Sequence, residues 1–563
     1  MKTQAIALPQ PNRKEFRSDR FSSLIVSVVS AYIFFYCTQP HALTWTLTPS
    51  LQLQEVYSDN IRLAKPGNEK SAFVTAVNPG ISMTGQSART SVRLNYRMQN
   101  LYNAGGNNGL TINNQLQYNS HNTFITNRLF LDSISSISQQ NVNTNQIGTT
   151  NINGSGNSAT VTTFGLSPYW TPRFGSYASG MARINFNTTT TNRNAPPSNL
   201  NSNPSLTSLS DTATLAEFLQ LNSGSKFQRL NWGLSLSNSK SYRSNSNLQN
   251  PSFQNANAIV KPYINRYFSL FAQGGYSKNN FQSTTNSNKS GIYYTFGGQW
   301  TPSQRYSIAA GAGNNNFVAV NISPLQRLSW STTYRKNTIG TSSGQNSGFG
   351  SSQGSGQGLG QNAGESWQTA LRYKTRRSTW SITHNNNTTT VQQILAQNQV
   401  FPTPDQTGNP EDPIPNPRVL NNPNFTDEVI VTKTWNFSVS YNPGKSTLSA
   451  TAYDQDYKFQ VSGNDQITKG LSASWSWPFT NKTSAFIRPL WQKTENKNSL
   501  NDNQYYEVTI GMRQSITNRL NGTIDFRHGE QTISGNTNNV QSLGVNTSGY
   551  QENRVTASLF VRF

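Results

Sequence analysis

The feature that most constrains this chain is an alternation of apolar and polar residues with period two, recurring along most of its length. From Ala88 to Leu101, Val92, Leu94, Tyr96 and Met98 fall on one face, while Arg89, Ser91, Arg93, Asn95, Arg97 and Gln99 fall on the other. Only an extended strand sorts such a segment into an oily and a polar side, because successive Cβ atoms of a strand point to opposite faces. The same stripe returns at Leu230, Trp232, Leu234 and Leu236, at Ile292, Tyr294, Phe296 and Trp300, and at Trp435, Phe437, Val439 and Tyr441. It returns again at Leu471, Ala473, Trp475 and Trp477, and at Tyr506, Val508, Ile510 and Met512. One architecture therefore serves the whole chain.

Composition narrows that architecture. Only 33% of the 563 residues are hydrophobic and 12% charged, a poor recipe for a water-soluble core, yet 11% are aromatic and these are spread from end to end, which argues against disorder. A transmembrane barrel reconciles the two, since half of each strand faces a polar lumen and needs no apolar residue. The expected fold is all-β: a transmembrane antiparallel up-and-down barrel of about 24 strands (roughly 22 to 26), with short periplasmic turns and long extracellular loops.

The connections support that reading. Trp170-Thr171-Pro172-Arg173, Trp300 to Arg305, Tyr441 to Lys445 and Trp477 to Lys482 share a theme of aromatic, turn-forming residue, then base, and Ser515 to Arg519 repeats its turn-forming residue and base. Their rings sit where an aromatic girdle meets the membrane interface. Between them lie long polar tracts, 141–158, 187–211, 338–364 and 385–427. The segment 311–316 reads as either a bend or a loop tip.

The ends are equally telling. Lys2, Arg13, Lys14, Arg17 and Arg20 precede an apolar run from Phe21 to Tyr36, and His41-Ala42 offers a cleavage point, so 1–42 is expected to be a signal peptide and 43–563 the barrel. Cys37, the single cysteine, leaves with the signal and lacks the small preceding residue that lipidation needs. At the other end, Val555, Ala557, Leu559, Val561 and Phe563 share one face of a last strand closed by an aromatic, a pattern that resembles the signal read by the outer-membrane assembly machinery.

A formal charge of +22 often marks a nucleic-acid binder, but here the bases alternate along strands rather than clustering, which points instead to a basic lumen or to contacts with anionic lipid head groups, and nucleic acid is not an expected partner. Arg89, Arg93 and Arg97, with Arg372 and Lys374 beside the stripe Trp367, Thr369, Leu371 and Tyr373, are expected to line a basic lumen. Chemistry is otherwise sparse. The four histidines, His41, His121, His384 and His528, build no metal spacing or triad, and Asp454-Gln455-Asp456 reads as a solvated strand end, so no enzyme, metal or cofactor is expected. The glycines of 354–360 sit in a low-complexity tract with no following helix, which removes a nucleotide-loop reading.

Just past the proposed cleavage point, Pro49-Ser50-Leu51 and Glu55-Val56-Tyr57-Ser58-Asp59-Asn60-Ile61 resemble the opening of the PEP-CTERM system-associated outer-membrane β-barrel family. Asn78-Pro79-Gly80-Ile81, the strand from Val92 to Gln99, Asn127-Arg128-Leu129-Phe130-Leu131-Asp132 with Gln139-Gln140, Leu221-Asn222-Ser223-Gly224 and Trp232 continue the resemblance, which is shared with porin-like barrels of polysaccharide loci. It implies association with exosortase sorting and exopolysaccharide production, and it carries over no catalytic residue. Within the motif of Tyr57, Asp59 and Asn60, the acid and amide are read as fixing a strand-to-loop turn.

Together these readings lead to a porin-like conduit or assembly component in the outer membrane of a Gram-negative bacterium, in contact with outer-membrane lipid and lipopolysaccharide, and serving anionic polysaccharide or envelope export proteins. The rival expectation is a structural or adhesive barrel with a plugged lumen and working extracellular loops. A lumen filled by a loop would favour the rival.

Overall fold

The structure, a computed structural model, describes residues 44–104, 109–142, 147–153, 158–192, 209–244, 248–281, 290–339, 364–397, 423–497, 502–534 and 549–563. The expected signal peptide and the glycine tract 354–360 lie outside the described residues.

The chain runs up and down as a continuous series of strands. The first eight are β1 (Thr44–Ser58), β2 (Ala72–Gln86), β3 (Thr90–Asn103), β4 (Gly109–Ile125), β5 (Leu129–Asn141), β6 (Ser158–Trp170), the two-residue stub β7 (Arg173–Phe174) and β8 (Ala178–Asn192). Next come β9 (Thr212–Ser223), β10 (Leu230–Arg243), β11 (Ser252–Pro262), β12 (Phe268–Asn279), β13 (Gly291–Ser303), β14 (Tyr306–Gly313), β15 (Asn315–Leu325) and β16 (Leu328–Asn337). After β17 (Gly364–Lys374) and β18 (Ser378–Thr390) a short helix α1 (Val391–Gln397) intervenes. The series ends with β19 (Val429–Tyr441), β20 (Thr447–Phe459), β21 (Gln466–Pro478), β22 (Thr483–Asn496), β23 (Asp502–Ser515), β24 (Leu520–Ser534) and β25 (Tyr550–Arg562).

Each strand pairs antiparallel with its sequence neighbour, apart from β7, which lies within the turn between β6 and β8, so 24 strands span the wall. Closure comes from β1 and β25, paired from Ser50 opposite Arg562 to Ser58 opposite Arg554, and Phe563 extends the seam by donating its amide to the Pro49 carbonyl at 3.1 Å. A closed sheet leaves no unpaired edge, the condition for β-structure in hydrocarbon. The segment 311–316 resolves as the ends of β14 and β15 joined by Asn314 alone.

Eleven turns, 87–89, 126–128, 171–177, 224–229, 263–267, 304–305, 326–327, 375–377, 442–446, 479–482 and 516–519, lie at the end that carries Thr44 and Phe563. The longest connections lie at the other end, which also holds the single-residue link at Asn314. Outward positions form an apolar belt, with exposed Leu53, Ile184, Leu234, Leu270, Ile510 and Leu559 among its aliphatic members. The belt has two aromatic borders. Trp45, Trp170, Trp300, Trp380, Tyr441 and Trp477 mark the turn end, and Tyr57, Phe73, Tyr102, Tyr242, Tyr276 and Trp367 the loop end.

On the inner face, large rings lie over glycines directly opposite them: Phe271 over Gly297, Tyr293 over Gly275, Tyr453 over Gly470 and Phe486 over Gly511. A Cβ at Gly470 would come within 2.1 Å of the Tyr453 ring, and one at Gly511 within 2.4 Å of Phe486. Glycine at these sites is a packing requirement, since the ring occupies the space a side chain would need.

Candidate functional site

Because directly paired residues share a face, the inner wall can be read strand by strand. Arg93 and Arg97 of β3 project inward, as do Arg183 of β8, Arg243 of β10, Lys261 of β11 and Arg335 of β16. So do Arg372 and Lys374 of β17, Arg488 of β22, Arg513 of β23, Arg527 of β24, and Arg554 and Arg562 of β25. Against these thirteen bases stand four inward acids, Asp132, Glu507, Asp525 and Glu552. The bore wall is strongly basic.

Arg97 donates from Nε and Nη2 to Gln115 Oε1 at 2.9 and 2.6 Å and from Nη1 to Gln52 Oε1 at 3.4 Å, amide partners that leave its charge uncompensated. Arg93, Arg372 and Lys374 are exposed within the bore. Arg89 departs from the expectation. It lies in the turn 87–89, one residue before β3 begins, so its side chain belongs to the rim rather than the wall; its carbonyl accepts from the Thr123 amide. Arg372 and Lys374 stand on a different arc from Arg93 and Arg97, with β4 to β16 between them.

The other sequence-marked residues have distinct positions. Tyr57 faces outward beside Phe73, ring centroids 4.9 Å apart. Asp59 accepts from the Asn553 amide at 2.8 Å and from its Nδ2 at 2.7 Å, clamping the first loop to β25. Asn60 is fully buried and bonds the Ala64 backbone in both directions, at 2.8 Å each way. Val555, Ala557, Leu559, Val561 and Phe563 line the outer face of the closing strand. His121 pairs with Asp132 at 2.7 Å, and Arg183 holds the other oxygen of the same carboxylate at 2.9 Å. Among the described residues no group of three or more His, Cys, Asp or Glu is placed to hold a metal.

Loops enter the bore at its far end. Residues 147–153, in the connection between β5 and β6, lie against the inner faces of β23, β24 and β25. Arg527 and Glu507, both buried, meet at 2.8 Å, and Tyr505 donates to the same carboxylate at 2.6 Å. Arg527 also reaches the Gly148 carbonyl at 3.1 Å, while the Ile147 amide donates to Gln531 Oε1 at 3.0 Å and Tyr550 donates to the Ile147 carbonyl. Further along, Asn151 donates to Gln99 at 2.8 Å and Asn153 to Glu552 at 2.8 Å. Gly148 has φ +81°, and a Cβ there would fall 2.4 Å from the Tyr505 hydroxyl, so backbone and space both demand glycine.

The loop between β18 and β19 makes the longer crossing. Thr390 and Gln393 form a capping box that starts α1: the Gln393 amide donates to Thr390 Oγ1 at 3.3 Å and Gln393 Oε1 accepts from the Thr390 amide at 3.2 Å. The helix then buries Val391, Ile394 and Leu395 in one cluster with Ala159 and Val161 of β6, Leu209, Phe425, Ile430 of β19, and Tyr457 and Phe459 of β20. Between β8 and β18 stand the nine strands β9 to β17, and between β20 and β6 stand ten, β21 to β25 and β1 to β5. These walls are opposite, so the cluster bridges the bore. Polar ties complete it: Asp427 accepts from the Ser210 amide at 2.8 Å and from Gln392 at 3.0 Å, and the Phe425 amide donates to the Val142 carbonyl at 3.0 Å.

Sequence reasoning missed the latch and the bridge. Val391, Ile394 and Leu395 at helical spacing behind Thr390-Val391-Gln392-Gln393 were a readable signal. Tyr505, Glu507, Arg527 and Tyr550 gave none, because the loop residues they hold, Ile147 and Gly148, are more than 350 positions away in sequence.

A closed 24-strand sheet with an apolar belt between two aromatic borders, around a polar bore, defines an outer-membrane β-barrel. No protein-family model matches the chain, and neither does any curated protein. Among solved structures it is similar to the FrpB iron transporter from Neisseria meningitidis, at 10% identity and a TM-score of 0.41, covering 92% of this chain and 82% of that one. It is also similar to the siderophore receptor PirA from Acinetobacter baumannii, at 9% identity, TM-score 0.40 and coverage of 92% and 81%. An anion-selective porin from Comamonas acidovorans aligns at 10% identity and TM-score 0.30, over 92% of this chain and 100% of that one.

Proposed function

We propose that the protein is a gated, non-enzymatic outer-membrane conduit for anionic solutes, closed in this conformation by the loops between β5 and β6 and between β18 and β19. The observation that carries the reading is the bore wall itself, thirteen inward bases against four acids, with Arg93, Arg372 and Lys374 exposed inside it. A wall of fixed charge of one sign concentrates counter-ions and excludes co-ions. The resemblance of the Tyr57-Ser58-Asp59-Asn60 region to the PEP-CTERM-associated barrels supports an anionic exopolysaccharide as cargo and a link to exosortase sorting.

The test is efflux from proteoliposomes loaded with an anionic oligosaccharide or a neutral one of equal length. Releasing the β18–β19 loop should speed loss of the anionic sugar more than of the neutral one. Equal rates would refute the anionic-cargo reading. A second reading, a permanently plugged structural or adhesive barrel, is favoured by the buried bridge from Val161 to Ile430, and predicts no efflux from any loop variant that remains folded.

A further inference from the structure

We propose that the turn rim is a binding ring for anionic phospholipid, an interaction surface independent of anything that passes through the bore. The eleven turns share one regularity. Every one of them contains a lysine or arginine, and none contains an aspartate or glutamate. The first three hold Arg89, Arg128 and Arg173; the next two hold Lys226, Arg229 and Arg266. Arg305 and Arg327 follow in turns of two residues, then the pair Arg376 and Arg377, and finally Lys445, Lys482 and Arg519. The opposite end is built differently. Its described loops mix the signs, with Asp59, Glu69, Asp211, Asp427, Glu428 and Asp465 beside Arg62, Lys65, Lys70 and Lys497.

Turn chemistry alone does not call for this. Asp and Asn are the residues that close tight turns by bonding their own backbone, and Asn is present here at Asn127, Asn265, Asn442, Asn481 and Asn518, whereas Asp is excluded throughout. Exclusion of one sign of charge from eleven separate turns points to a surface that penalises it.

The geometry selects a lipid surface over a protein or a polymer at the mouth of the bore. The bases form a full ring, one or two per hairpin, and most sit a few residues from an outward ring of the aromatic border at the turn end, as Trp170 to Arg173, Trp300 to Arg305, Tyr441 to Lys445 and Trp477 to Lys482 show. Where a base touches a ring, the ring is an exposed residue of that border. Lys226 Nζ lies 4.2 Å from the centroid of Tyr177 and donates to its hydroxyl at 2.7 Å, and the Arg266 guanidinium lies 4.4 Å from the centroid of Tyr267. Aromatic girdles seat at headgroup depth, so these cations stand level with lipid phosphates all the way round. A docked protein would need only an arc.

The experiment is native mass spectrometry of the purified barrel with phosphatidylglycerol or phosphatidylcholine added at equal concentration. The intact barrel should retain phosphatidylglycerol in clear preference. Combining Arg266→Gln, Arg305→Gln, Arg327→Gln, Arg376→Gln and Arg377→Gln should abolish most of that preference, and the smaller set of Arg305→Gln with Arg327→Gln should reduce it while heat-modifiable mobility on gels shows the barrel still folded. The matched substitutions Lys240→Gln, Lys336→Gln and Lys469→Gln, on outward strand positions at the loop end, should leave it unchanged. Inorganic phosphate, which carries the charge without the lipid, should fail to displace the bound phosphatidylglycerol. Equal retention of the two lipids, retention unaffected by either turn set, or displacement by inorganic phosphate or by a soluble anionic polysaccharide would overturn the proposal.

Discussion

Arg527 of β24 and Glu507 of β23 form a buried ion pair at 2.8 Å, and the guanidinium that makes it also reaches the Gly148 carbonyl of a loop entering the bore. The pair thus converts the strand wall into a latch. Taking one partner from a buried pair leaves the other charge uncompensated, a cost of about 3–5 kcal/mol in comparable sites. Arg527→Gln is therefore expected to release residues 147–153, read as faster hydrogen exchange at the Ile147 amide. Unchanged exchange there would show that the loop is held by other contacts.

Gly148→Ala tests the same latch from the loop side. The substitution meets both a left-handed φ of +81° and the Tyr505 and Tyr550 rings, so it should expel the segment while leaving every wall residue in place. Protease cleavage between 142 and 157 on intact cells should rise in the variant. Equal resistance of the two proteins would contradict the packing described.

The inner glycines make a prediction about the wall. Gly470→Val places a branched side chain where the Tyr453 ring lies, and overpacking of this kind costs about 1–3 kcal/mol. The barrel should then lose its compact mobility on unboiled gels at a lower temperature, and Tyr453→Ala in the same chain should restore much of the loss. Failure of that rescue would mean that Gly470 is needed for its backbone instead.

The seam depends on the last strand. Deleting Phe563 removes an outward ring and the backbone bond to Pro49, and it should lower the amount of heat-modifiable barrel far more than the amount of chain synthesised. Normal assembly of the truncated chain would remove the assembly-signal role from Val555, Ala557, Leu559, Val561 and Phe563.

The fold was legible because alternation is a local property. The stripe Val92 to Met98 specifies which side of β3 meets lipid without reference to any other strand, and a few such stripes fix the class. Arg93 and Arg97 followed from it, since a base facing hydrocarbon near the midplane costs roughly 2–4 kcal/mol. Arg89 did not, because alternation continues into the turn and does not mark where β3 starts. The contents of the bore were less legible still. The bridge joins Val161 to Ile430 and the latch joins Gly148 to Arg527, pairings set by closure of the whole ring. Within the tract 385–427, an excess of Asn, Thr and Pro masked the one turn of apolar spacing at Val391, Ile394 and Leu395.

Fixed charge in the bore has a signature that salt should erase. In a loop-released barrel, Arg93→Gln with Arg97→Gln should weaken anion preference under a salt gradient, and the preference of either protein should fade as ionic strength shortens the screening length from about 10 Å at 0.1 M. Cation preference in the unsubstituted bore would contradict the charge count of the wall.

In the proposed conduit, the cluster around α1 is the main closure of the bore. Leu395→Asp removes a fully buried side chain worth roughly 1.5–3 kcal/mol and puts a charge in its place, so it should shift the loop away from the bridge. The measurement is single-channel conductance of the purified barrel in a planar bilayer. The unsubstituted protein should be silent or open rarely, and Leu395→Asp, alone or with Gly148→Ala, should give sustained anion-selective conductance. A folded double variant that never conducts, or an unsubstituted barrel that is open throughout, would contradict the account.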